Sequence, residues 1–257
     1  MADFPDLEDL SADALDAADD RLSVLNQLLA DLREGRGDAV AAVEQVRREA
    51  HGLKGLGQSF AISLLTVWAH RLEDYLTDVK ALDARMIADV QQFADRLAQA
   101  AESKFQADSS EIAAFVRRLP AKGSDKPFDV ADIRASDIEV MLVMEPSAAN
   151  RFVTRELQEC GYRMTNVWST IDAFQLVPHI RPDLVVVSNI MRDLSGVDFC
   201  CAIRAMPTTK TIPVALLTSE DRGSHALEHL PADVPIVSKS RNFGDDVTQV
   251  FTELGLL

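Results

Sequence analysis

The sequence predicts two domains: an all-α helix bundle, then an α/β domain with a parallel sheet covered on both faces. Three observations predict this. A length of 257 residues favours two ordinary domains over one. Apolar residues recur at helix spacing through the first part of the chain, to about Leu119. Beyond a stretch bearing Pro, Gly and Ser, short β-branched runs alternate with helical stretches.

In the first part, Leu22, Leu25, Leu28, Leu29 and Leu32 mark one helix, and Gly35 and Gly37 punctuate the chain around Arg36. A second helix carries Val40, Val43, Val46, Ala50, Leu53 and Gly57 along one side. A third carries Leu64, Leu65, Trp68, Leu72, Tyr75, Leu76 and Val79. A fourth has Met86, Ile87, Val90, Phe93, Leu97 and Ala101, and a short fifth has Ile112, Phe115 and Val116. Short turns between amphipathic helices predict an antiparallel bundle. The segment from Pro120 to Pro127 then reads as a linker. We assign 1–119 to the bundle, 120–136 to the linker and 137–257 to the second domain. There, Ile138 to Val143, Leu184 to Val187, Ile212 to Leu217 and Val234 to Val237 read as strands. A helical stretch from Ala148 to Cys160 follows the first of them.

Composition excludes several classes. No apolar run approaches the roughly 18–20 residues that span a bilayer. The acidic start, MADFPDLEDLSADALDAADD, lacks the features of a secretory signal. Cys160, Cys200 and Cys201 form neither a disulfide framework nor a zinc spacing, so a reducing cytoplasm is the expected compartment and no metal site is expected. A net charge of −15 argues against nucleic acid or an anionic membrane as the main partner, since both need clustered Lys and Arg. It fits a protein partner with a basic docking face, and equally fits plain solubility.

The segment Glu49-Ala50-His51-Gly52-Leu53-Lys54-Gly55-Leu56-Gly57-Gln58 carries chemistry. On a helix, His51, Lys54, Gly55 and Gln58 share one face. An imidazole near pH 7 offers a ring nitrogen lone pair that can attack phosphorus. A lysine one turn on offsets the charge of the product, and Gly55 clears room for an incoming active site. Glycine in mid-helix costs about 0.5–1 kcal/mol relative to Ala, so Gly55 and Gly57 each need a packing or access reason. The plainer reading is a surface histidine on a bundle helix. His70, with no Lys-Gly after it, reads as a hydrogen-bonded structural histidine.

Residues 10–118 resemble the histidine-phosphotransfer domains of bacterial phosphorelays. AHGLKGLGQSF followed by WAHRLEDYL is most similar to the phosphotransfer domain of chemotaxis-type histidine kinases. The resemblance implies that His51 is the phosphoacceptor, supported by Lys54 and Gln58. It implies no cofactor of the chain's own, with Mg²⁺ and positioning supplied by a partner histidine kinase or receiver. No Gly-rich loop between strand and helix suggests a nucleotide-binding kinase half.

Residues 137–257 resemble the receiver domain of response regulators. The resemblance is carried by Arg181-Pro182-Asp183, Asp193-Leu194-Ser195-Gly196, Ile212-Pro213 with Thr218, and Lys239. It implies a doubly wound five-stranded parallel sheet with its site at the carboxyl ends of the strands. The family's acidic pair is here Met144-Glu145, and its phosphoaccepting Asp is Ser188. Thr218 and Lys239 stand at the phosphate-sensing positions, with Ile236 and Ser240 replacing the usual aromatic and proline near that lysine. One carboxylate is a poor Mg²⁺ site, and Ser188 forms no acyl phosphate. The expectation is a pseudo-receiver. Three functions then compete: a relay intermediate, a module that regulates by contact alone, and a drain that removes phosphate from a partner receiver.

Overall fold

A computed structural model describes residues 7–122, 138–238 and 243–255. Contacts divide the chain into two compact units, Met1–Pro120 and Ala121–Leu257. Most of the expected linker lies outside the described residues.

The first unit is made of five helices: α1 Leu7–Arg33, α2 Ala39–Ser59, α3 Ser63–Tyr75, α4 Ala84–Glu102 and α5 Ser109–Arg117. Aspartates set three of the starts. Asp38 accepts from the Val40 N–H at 2.8 Å, Asp83 from the Met86 N–H at 2.7 Å, and Asp108 forms a capping box with Glu111. Helix α2 packs between α1 and α3, α4 packs on α1 and α3, and α5 packs on α3. Leu25, Leu29, Val46, Leu53, Leu65, Leu72 and Phe93 are wholly buried between them. Trp68 joins this core and its indole N–H donates to the Phe93 carbonyl at 2.9 Å. Two boundaries differ from the periodicity. Helix α1 begins well before Leu22. Helix α3 ends at Tyr75, short of Val79, because Asp78 takes a left-handed φ of 60°. Val79 is still buried, which is why it kept the apolar rhythm.

The second unit alternates strand and helix: β1 Glu139–Val143, α6 Ala148–Glu159, β2 Arg163–Val167, α7 Thr170–Ile180, β3 Leu184–Ser188, α8 Gly196–Ala205, β4 Val214–Thr218, β5 Ile236–Ser238 and α9 Phe243–Glu253. All strand pairs are parallel, in the order β2-β1-β3-β4-β5. This is the flavodoxin-like doubly wound order. Helices α6 and α9 cover one face, where Phe152 meets Phe243 and Tyr162 stacks on Phe251. Helices α7 and α8 meet through Phe174 and Phe199. Strand β2 has no apolar run to announce it. Its Thr165 and Asn166 are buried polar residues: Thr165 donates to the carboxylate of Glu139, and Asn166 accepts from the Thr154 hydroxyl at 2.8 Å. Gly196 opens α8 tight against the end of β3, where a Cβ would stand 2.5 Å from the Ser188 carbonyl oxygen. The chain reverses between β1 and β3, and the ends of those two strands flank the crevice where such folds carry their sites.

Candidate functional site

The last two turns of α2 carry His51, Lys54, Gly55 and Gln58 on one face. The buried set Val46, Ala50, Leu53 and Gly57 faces the bundle, which turns His51 outward. The His51 side chain is 84% exposed. Its Nδ1 lies 3.2 Å from Oε1 of Glu73, on α3. The other oxygen of that carboxylate, Oε2, accepts from Lys54 Nζ at 3.0 Å. One carboxylate therefore serves both nitrogens. Gln58 is exposed on the following turn and Gly55 between them is bare: a Cβ there meets nothing within 4 Å. Gly57 differs. A Cβ there would sit 2.6 Å from the Thr66 backbone nitrogen, so this glycine lets α2 and α3 approach closely.

The ring nitrogen opposite Nδ1 is Nε2, and the arrangement can present it to a reactant from solvent while the carboxylate orients the ring. Glu73 escaped the sequence reading. It is one acid among 41 Asp and Glu, and only the register of α3 against α2 singles it out. His70, at 5% exposure, is buried in the bundle.

Residues 9–113 match the family model described as the Hpt domain. The N-terminal unit is an Hpt domain. Such a domain is a phosphotransfer module and carries no kinase activity of its own. The remainder of the chain matches other proteins. The response regulator MprA of Mycobacterium sp. (strain KMS) is 27% identical over 95 residues, 37% of this chain and 40% of that protein. MprA of Mycobacterium ulcerans is 25% identical over an equal stretch. The chain thus spans about 40% of the length of these relatives. Among solved structures, a putative response regulator from Chloroflexus aurantiacus is 21% identical with a TM-score of 0.42, covering 46% of this chain and 98% of its own. The chemotaxis response regulator CheY4 of Vibrio cholerae is 19% identical with a TM-score of 0.40 over the same shares. Among the described residues, no helix is long and apolar enough to cross a membrane.

In the receiver-like unit, the ends of β1 and β3 bring Met144, Glu145 and Ser188 to one shallow depression of about 370 Å³, also lined by Ile190, Met191 and Arg192. Met144 is buried at 6% exposure. Glu145 pairs with Arg192, whose Nε lies 3.1 Å from its carboxylate. Ser188 is 1% exposed and its hydroxyl donates to the Ile190 carbonyl at 3.3 Å. Thr218, at the end of β4, is buried; its Oγ1 accepts from the Glu220 N–H at 3.1 Å. Lys239, and Ser240 beside it, lie outside the described residues. This donor set does not suit Mg²⁺, which takes carboxylates and waters in a near-octahedral array. The single carboxylate is engaged by a guanidinium, and the hydroxyl is turned onto its own backbone. Arg192 was not singled out by sequence. It stands in a loop, and only the fold sets it opposite Glu145.

Proposed function

We propose that this chain is a phosphorelay intermediate whose Hpt domain accepts a phosphoryl group at His51 and passes it on. The observation that carries the reading is the exposed His51 ring held at Nδ1 by Glu73, which also holds Lys54. With the Nδ1 proton directed at Glu73, the Nε2 lone pair forms the new N–P bond. With a phosphorylated receiver as donor, the P–O bond to its carboxyl breaks and the electron pair leaves with that carboxylate. No proton need move: the ring gains positive charge while its Nδ1–H stays on the Glu73 carboxylate. Lys54 meets the incoming oxygens, Gln58 can donate to them, and Gly55 leaves room for the partner's active site. The partners in this reading are a histidine kinase, receiver domains, or both. They supply Mg²⁺ and position the phosphorus. A cytoplasmic placement goes with such partners.

The receiver-like unit in this reading does not take phosphate and serves for docking or regulation. The buried Ser188 and the Glu145–Arg192 pair support that. They also favour a second reading, in which the chain regulates a partner by contact alone.

The test is transfer from a phosphorylated receiver or kinase to the full chain. Wild type should gain an acid-labile, base-stable label that His51→Gln lacks. Glu73→Gln should slow labelling about ten- to a hundredfold, because a charge-assisted hydrogen bond is worth about 1.5–3 kcal/mol. Equal label on His51→Gln would overturn the relay reading. Signalling that survives His51→Ala but not removal of 137–257 would establish contact as the function.

A further inference from the structure

We propose that Arg21, on α1, is a charge-balancing and positioning residue for phosphohistidine at His51, acting on the flank of α2 away from Lys54. The inference rests on the reading of His51 as the phosphoacceptor and adds a residue to it. Arg21 Nη1 lies 2.9 Å from Glu49 Oε2, and the Glu49 carboxylate also accepts from Gln45. Arg21 is 38% exposed and Glu49 10%, so the pair sits at the seam of α1 and α2. The guanidinium occupies the space where a side chain of residue 52, the residue after the histidine, would begin. A Cβ at Gly52 would stand 2.3 Å from Arg21 Cζ and Nη1 and 2.8 Å from Nε. Any residue but glycine there would push the guanidinium off its place.

Helix geometry sets the two cations on opposite sides. At about 100° per residue, Lys54 lies about 60° from His51 in one direction, while Gly52 lies about 100° from it in the other. Phosphorylation adds roughly two negative charges at the ring. Lys54 already shares its charge with Glu73, and Glu49 places a further carboxylate on the same helix two residues before His51. Arg21 offsets Glu49 and supplies the positive field on the flank that Lys54 does not reach. The mid-helix glycine at 52, costly for the helix by itself, is then explained: it is the seat of that guanidinium.

The experiment uses the full chain and potassium phosphoramidate, a small donor that needs no partner. Nε2 attacks its phosphorus, the P–N bond of the donor breaks, and the nitrogen leaves as ammonia with the proton it carried. Phosphorus NMR reads the phosphohistidine fraction and its lifetime. Arg21→Gln should lower the labelled fraction about three- to tenfold, and Arg21→Lys should restore most of it. Gly52→Ala keeps the arginine but displaces it. It should lower the label too, although Ala favours the helix and the melting temperature should not fall. About 1 M salt should narrow the gap between wild type and Arg21→Gln, as screening requires. Equal labelling of wild type, Arg21→Gln and Gly52→Ala overturns the proposal. So does a deficit that ignores salt and tracks lost helicity. A wild type labelled no more than His51→Gln would instead bring down the relay reading itself.

Discussion

At the scale of single residues, the candidate site is a carboxylate shared by an imidazole and an ammonium. Spacing along α2 identifies two of the three, since His51 and Lys54 are one turn apart on one helix. Glu73 comes from another helix, 19 residues beyond Lys54, and no local pattern marks it. Tyr75, on the same helix as Glu73, has a different use for a carboxylate. Its hydroxyl donates to Asp89 at 2.6 Å. Burial, then that bonded carboxylate, push the phenol above its ordinary value near 10. The folded protein keeps the Tyr75 proton where the unfolded chain releases it. Stability from this group is therefore whole below about pH 10 and is lost progressively as pH rises beyond it. Tyr75→Phe should cost about 1 kcal/mol near neutral pH and flatten the alkaline fall in stability; denaturant unfolding at a series of pH values checks both.

At the scale of elements, two of the three glycines of α2, Gly55 and Gly57, have reasons that separate cleanly. Gly57→Ala forces α2 away from the Thr66 backbone and should destabilise the bundle by about 1–3 kcal/mol. Gly55→Ala meets no atom of the chain and should stabilise by up to about 1 kcal/mol through helix propensity. Thermal unfolding followed by helical circular dichroism distinguishes them. If Gly55 serves partner access, its alanine variant should also take phosphate more slowly from a phosphorylated receiver, yet at an unchanged rate from phosphoramidate. The same contrast explains which elements were legible. Helices α2 to α5 and strands β1, β3 and β4 carry apolar rhythms or runs. Strand β2 buries Thr165 and Asn166 through side-chain hydrogen bonds, so its burial leaves no hydrophobic trace.

At the scale of the whole molecule, an Hpt domain is paired with a receiver-like unit whose strand-end crevice offers one carboxylate, already bound by Arg192. His51→Gln full-length protein incubated with acetyl phosphate and Mg²⁺ should therefore gain no phosphate. Millimolar Mg²⁺ should leave the amide NMR signals of 138–238 unmoved, because a buried serine and a guanidinium-paired glutamate do not compete with water for the ion. A phosphorylated species at Ser188, or shifts confined to Met144, Glu145 and their neighbours, would contradict this.

The sequence by itself determined the two-domain division, both fold classes, the helix face bearing His51, and the presence of Met144, Glu145 and Ser188 at the ends of the first and third strands. Each of these is written in local spacing or in the identity of a single residue. Only the tertiary structure decided that Glu73 bridges His51 and Lys54, that Arg192 engages Glu145, and that Arg21 rests on Gly52. Those partners lie on separate elements. Their meeting depends on helix register and loop path, which packing of the whole core selects and no short stretch of chain encodes.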